Sequence, residues 1–208
     1  GVYIHKSKNC TVENVQVNEF NGDSFSWQIT ENITLSGCEA SNGDGLGFHP
    51  GTGSDHSIVE NCISHHNKGD GLFLCWRVQN GIFRNNTIYA NRDNGISIGH
   101  KDTDNIFENN KVFENANHGV LFRNENEQNA GHRNTFINNT IENNGTARES
   151  SGFYVGGVTH DITIKNNIIR STGKGNQKTA ITVGKNSTNV TNTGNTISGL
   201  KEIEFEKK

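Results

Sequence analysis

Along this chain a small residue followed by apolar, any, apolar recurs about eight times. The copies are Gly1-Val2-Tyr3-Ile4, Ser24-Phe25-Ser26-Trp27, Gly45-Leu46-Gly47-Phe48, Gly71-Leu72-Phe73-Leu74, Gly95-Ile96-Ser97-Ile98, Gly119-Val120-Leu121-Phe122, Gly152-Phe153-Tyr154-Val155 and Ala180-Ile181-Thr182-Val183. Apolar residues two apart mark short strands that send alternate side chains to a core. A second pattern runs in step with the first and places Asn or Gly between two apolar positions: Val12 to Val17 around Asn14, Phe83 to Ile88 around Asn85, Phe107 to Val112 around Asn109, Phe136 to Ile141 around Asn138, and Ile164 to Ile169 around Asn166. Gly37, Asn61 and Gly194 hold the same place in weaker copies. Successive copies lie roughly 21 to 33 residues apart, the window of a solenoid.

Helical repeats need a 3.6-residue period, which is absent here, and leucine is too scarce for a leucine-rich repeat. The expected fold is all-β, a right-handed parallel β-helix solenoid of about eight coils. It covers residues 1–208 as a single domain or as a segment of a longer β-helix. Parallel strands stacked at about 4.8 Å would bring residues two dozen positions apart into rows. One row should be an amide ladder, in which stacked Asn side chains bond to each other and to the bend backbone. Either Asn61, Asn85, Asn109, Asn138 and Asn166 form it, or the column one residue later, Asn86, Asn110, Asn139, Asn167 and Asn195. Cys38 and Cys62 fall in that later column in adjacent coils, close enough either for a disulfide or for two free buried thiols.

Composition sharpens this picture. Apolar residues make up only 30% of the chain, with 24 glycines and a single proline, Pro50, which suits regularly placed bends rather than a thick core. A formal net charge of −3 and the lack of a basic stripe argue against nucleic acid, and no apolar run is long enough for membrane insertion. The absence of Met and a start directly in a strand pattern suggest a processed or excised chain, with a secreted or extracytoplasmic location expected. Residues 200–208 alternate Ile203 and Phe205 with Glu202, Glu204 and Glu206, as a charged final strand would. The first coil has no such cover, so a further β-helix segment or subunit is expected at that end.

If residues matching Leu46 and Phe48 face the core, those matching Gly47 and His49 face outward. That outer face then carries His49, then Phe73, Cys75, Trp76 and Arg77, then Ser97, His100, Lys101 and Asp102, then Arg123 and Glu125, then Tyr154. From the small residue to its Asn, coils four, five and seven take about fourteen residues. Gly45 to Asn61 and Gly119 to Asn138 are longer by roughly two and five, so loops in coils three and six would wall a groove. A groove along stacked strands matches a polysaccharide. Phe73, Trp76 and Tyr154 offer faces for sugar rings, with Arg123 and Glu125 as further contacts. On an acidic glycan, Arg77, Arg123 or Lys101 would neutralise a uronate while His49, His100 or Lys101 removes the adjacent proton, giving β-elimination or epimerisation. Asp102 and Glu125 offer the carboxylate pair of a glycoside hydrolase, and a non-catalytic binding or structural role fits the same repeat. No cofactor is required. Calcium bridging a uronate to Asp102 or Glu125 is the one option. The other histidines, His132 and His160 among them, lack a metal-ligand spacing, so no metal site is expected.

The repeat resembles the superfamily typified by pectate and pectin lyases over nearly the whole chain. Within it, Gly45 to Asn110 is similar in layout to mannuronan epimerases, through Gly47-Phe48-His49-Pro50, Asp70-Gly71 and Tyr89-Ala90-Asn91. The resemblance implies the scaffold and the location of a groove on this face. It does not extend to the catalytic motif: where that family carries Tyr-Gly-Phe-Asp-Pro-His, this chain reads Leu46-Gly47-Phe48-His49-Pro50-Gly51. The family's further Asp falls on Cys75 and its Arg-His pair on Asp93-Asn94.

Overall fold

A computed structural model describes residues 1–207. It contains strands and turns only, and every strand pairing is parallel. The strands form three sheets of nine, eight and eight members, in which each strand pairs with its copy one coil away. The first sheet runs from Val2–His5 through Phe25–Gln28, Phe48–Pro50, Leu72–Phe73, Ile96–Ile98, Val120–Phe122, Ser150–Val155 and Gln177–Val183 to Lys201–Phe205. This is the expected β-helix, with eight full coils and a ninth strand on the first sheet. That ninth strand pairs Ile203 with Ile181 and Phe205 with Val183, as the alternation at residues 200–208 requires.

The core is one continuous apolar column. Phe83 stacks on Phe107 at 4.9 Å and Phe107 on Phe136 at 4.4 Å, so identical positions in successive coils touch their own copies. Dispersion and area burial thus repeat along the rod, and each coil depends on its neighbours for its core.

The two Asn columns divide the work. Asn61, Asn85, Asn109, Asn138 and Asn166 have φ between 55° and 58°, so this column supplies the left-handed bend, which Asn and Gly tolerate best. The ladder runs one residue later. Asn86 gives its backbone N–H and its amide to Asn110 Oδ1 at 3.0 Å, and Asn110 does the same to Asn139. Cys38 and Cys62 occupy this ladder as free, buried thiols; Cys62 N–H donates to Asn86 Oδ1 at 2.9 Å.

One register differs from the sequence reading. Phe48, not Leu46, pairs with Leu72 and Phe25, so coil three begins at Gly47. A Cβ on Gly47 would lie 2.1 Å from Ser64 Oγ, whereas the side chain next to Gly45 is Asp23; the third-sheet side chain fills the space at Gly47 and selects glycine there. Gly47 to Asn61 then spans the same fourteen residues as coils four, five and seven, and coil three has no extra loop. The coil-six insertion is real. It folds over residues 124–131, and Asn129 O accepts the backbone N–H of Lys101 at 2.7 Å.

Candidate functional site

On the outer face of the first sheet, coils four to six meet around Arg123. Its side chain reaches back two coils, with Nη1 donating to Ser97 Oγ at 2.8 Å and Nη2 donating to Leu74 O at 2.7 Å. The guanidinium sits 4.4 Å above the Phe73 ring. That path exists because coil five offers only Gly99 beneath it: a Cβ there would stand 2.9 Å from Arg123 Nε. The same Nη2 lies 3.4 Å from Asp102 Oδ2 and 3.3 Å from His100 Nδ1.

Asp102 is 0% exposed. It does not line the groove as expected; its oxygens accept the backbone N–H groups of Val78 at 3.0 Å and Gly99 at 3.2 Å. Burial pushes its carboxyl up to about 7, against the pull of Val78 N–H, Arg123 and Gly99 N–H. An enclosed acid can neither flank a glycosidic bond nor bridge calcium to a sugar, so the Asp102–Glu125 hydrolase pair is not formed.

His100 is held on both sides. Its Nδ1 lies 2.9 Å from Cys75 Sγ and its Nε2 2.8 Å from Glu125 Oε1, while the ring stacks on Trp76 at 4.8 Å. Burial, then the Arg123 charge, lowers its pKa against the opposing pull of Glu125, so the ring is neutral at neutral pH. Burial raises the Cys75 thiol, partly offset by Arg123. Arg77 and Lys101 follow the Trp76–His100 stack in the next column, at left-handed bends of 59° and 64°. Neither makes a side-chain ion pair among the described residues.

His49 stands in the same outward row as Phe73, meeting its ring edge-on at 5.4 Å. Its Nδ1 lies 2.7 Å from Asp23 Oδ2, a partner absent from the sequence reading. Burial raises Asp23, but the hydrogen bonds from His49 and from Leu46 N–H, together with the His49 charge, outweigh it and hold the carboxyl below its usual range. A signal for Asp23 did exist. It shares a column with Asp70, Asn94 and His118, two residues before each strand's first apolar position, and each of these accepts the backbone N–H one coil on.

Tyr154 stands away from this cluster. Its hydroxyl donates to Glu206 at 2.7 Å, and it borders a cavity of about 400 Å³ together with Asn124, Glu125 and Lys185. Glu125 therefore joins the His100 cluster to that cavity. The inserted loop also brings together Glu127, His132 and His160, whose ligand-type atoms lie within 4.8 Å of one another. Their separation in sequence had argued against any such grouping. Both His132 nitrogens are engaged by backbone, Nε2 with Glu127 O at 2.9 Å and Nδ1 with His160 N–H at 3.2 Å, so the group pins the loop to coil seven.

Three parallel sheets wound into one column, with a polar cluster on the outer face of the first, define a parallel β-helix. Residues 1–130 match the family model described as a right-handed beta helix region, and the chain belongs to that family. Among solved structures it is similar to the A-module of mannuronan C-5 epimerase AlgE6 from Azotobacter vinelandii, at 16% identity and a TM-score of 0.84, covering 97% of this chain and 55% of that one. The AlgE4 A-module from the same organism gives 16% identity and a TM-score of 0.80, covering 97% and 56%. The Streptococcus pneumoniae surface protein and adhesin PfbA gives 14% and 0.70, covering 99% and 68%. The chain thus spans just over half the length of the two epimerase modules. No curated protein matches it.

Proposed function

We propose that this protein binds an acidic, uronate-containing glycan along the outer face of its first sheet and modifies it by removing the proton beside a carboxylate, in β-elimination or epimerisation. The observation that carries this reading is the His49–Asp23 pair on the same face as two unpaired cations, Arg77 and Lys101. Asp23 accepts from Nδ1 and so leaves the lone pair on Nε2, the tautomer a general base needs. Both nitrogens of His100 face protein groups, so the base role passes to His49. Arg77 and Lys101, one coil apart, would neutralise uronate carboxylates and so acidify the adjacent C–H. The half-buried Trp76 and the cavity beside Tyr154 extend the surface along the rod.

Two structural neighbours carry the name mannuronan C-5 epimerase, which favours a uronate polymer, and a periplasmic alginate epimerase and a surface adhesin among the neighbours favour an extracytoplasmic setting. A purely adhesive, glycan-binding role is the second reading, favoured by the likeness to a surface adhesin. Incubation with a panel of uronate polymers separates them. An unsaturated product marks elimination, and solvent deuterium appearing at carbon five marks epimerisation; either should fall by about 100-fold or more in His49→Ala and Asp23→Asn. Binding without any chemical change in the polymer would leave the adhesive reading.

A further inference from the structure

The thiol of Cys75 is not used by that reaction, yet it sits in the most organised cluster on the face. We propose that Cys75 is a nucleophile that cleaves O-acyl esters carried by a glycan in the groove, with His100 as its general base and Glu125 holding the imidazole. Three successive coils supply the three groups, and parallel stacking aligns them: Sγ to Nδ1 is 2.9 Å and Nε2 to the Glu125 carboxylate is 2.8 Å. A carboxylate only accepts, so Nε2 carries the hydrogen and the Nδ1 lone pair points at the thiol, the order of a nucleophile, its base and an orienting acid. Trp76, stacked on the ring at 4.8 Å, fixes its plane.

Burial raises the Cys75 thiol and lowers the His100 imidazole, so the resting pair is neutral and the proton moves only as the thiol attacks. The Arg123 guanidinium, 3.3 Å from Nδ1, opposes the rise of the thiol and favours the thiolate as it forms, while lowering His100 further. A redox role is disfavoured, because Cys38 and Cys62 are buried in the ladder at another corner and Cys10 lies in the first coil, leaving no resolving thiol nearby. In the proposed reaction His100 takes the thiol proton as Sγ bonds to the ester carbonyl carbon. The carbon–oxygen bond to the glycan then breaks, and the departing alkoxide takes the proton from His100. Water, deprotonated by His100, attacks the thioester, freeing the carboxylic acid and restoring the thiol.

The test uses the whole chain with p-nitrophenyl acetate and with an O-acetylated polyuronate. Acetate should be released from both, and an acid-quenched sample should carry an acetyl group on the Cys75 peptide. Cys75→Ala and His100→Ala should lower release by about 100-fold or more, and Cys75→Ser, nearly isosteric, should do so with an unchanged circular dichroism spectrum. Glu125→Gln should shift the acid limb of the pH profile, which in the parent chain lies below the ordinary histidine value of 6.5. Full release by Cys75→Ser, or no release and no adduct from the parent chain on either ester, would overturn the proposal. Acetate release persisting in His49→Ala would support this activity independently of the uronate chemistry.

Discussion

Replacing Gly99 with alanine tests the arrangement around Arg123. The added Cβ would meet Arg123 Nε at 2.9 Å, Nη2 at 3.1 Å and Cβ at 3.2 Å, so the side chain must leave the floor of the groove. Departure breaks its bonds to Ser97 Oγ, Leu74 O and Asp102. Hydrogen bonds to charged groups contribute about 1.5–3 kcal/mol each, and water recovers part of that for Leu74 O. Asp102 stays enclosed without its cation but can take up a proton near neutral pH, which limits the penalty for a stranded buried charge. A net destabilisation of about 2–4 kcal/mol follows, or a fall in Tm of roughly 5–15 °C for a chain of this size. The variant should also let the His100 pKa rise, since the Arg123 charge is the second cause holding it down. Urea unfolding and an NMR titration of His100 give both readouts. An unchanged midpoint together with an unchanged His100 titration would refute the role given to Gly99 and Arg123.

The amide ladder should be far more sensitive to substitution than the left-handed bend next to it. Asn110→Ala strands the buried Asn86 N–H and Phe83 O and should cost about 3–5 kcal/mol, whereas Asn109→Gly, at φ 56°, should stay within about 1 kcal/mol in the same denaturation assay. His118 is half-buried, accepts Ser151 N–H at 3.1 Å and has its pKa lowered to about 4, first by burial and then by Arg148. The unfolded chain binds that proton first, so stability should fall as pH drops from 6.5 to about 4, by up to about 3 kcal/mol, and His118→Gln should flatten this limb. Asp102 acts in the other direction. Its folded pKa is raised to about 7 from 3.8, so its contribution is complete below 3.8 and is lost as pH rises through about 7; denaturation of Asp102→Asn between pH 4 and 8 should show that loss removed.

Much of the fold could be read from residue order, because in a solenoid the core period, the bend period and the coil length are all written along one dimension. The pairs of apolar residues in Phe25-Ser26-Trp27 and Ile96-Ser97-Ile98, and the Asn two residues after an apolar position, were enough to expect parallel coils. Coil three was misplaced by two residues because Gly45 and Gly47 look alike in sequence. Only the Ser64 side chain, arriving from another sheet, distinguishes them. Spacing placed Ser97 and Asp102 on the outward row, and both are buried; Asp102 and Glu125 look equivalent in the sequence, while one is sealed by backbone N–H groups and the other meets His100.

The sequence alone determined the repeat, the parallel strands and the face on which ionisable groups gather, since these depend on residue type and spacing within a coil. Tertiary structure alone decided that Asp23 partners His49, that Arg123 crosses Gly99 to coil four, and that Cys75, His100 and Glu125 form a chain of contacts. Those contacts depend on exact register between coils and on how far each side chain reaches, and both are set by packing against residues two dozen or more positions away.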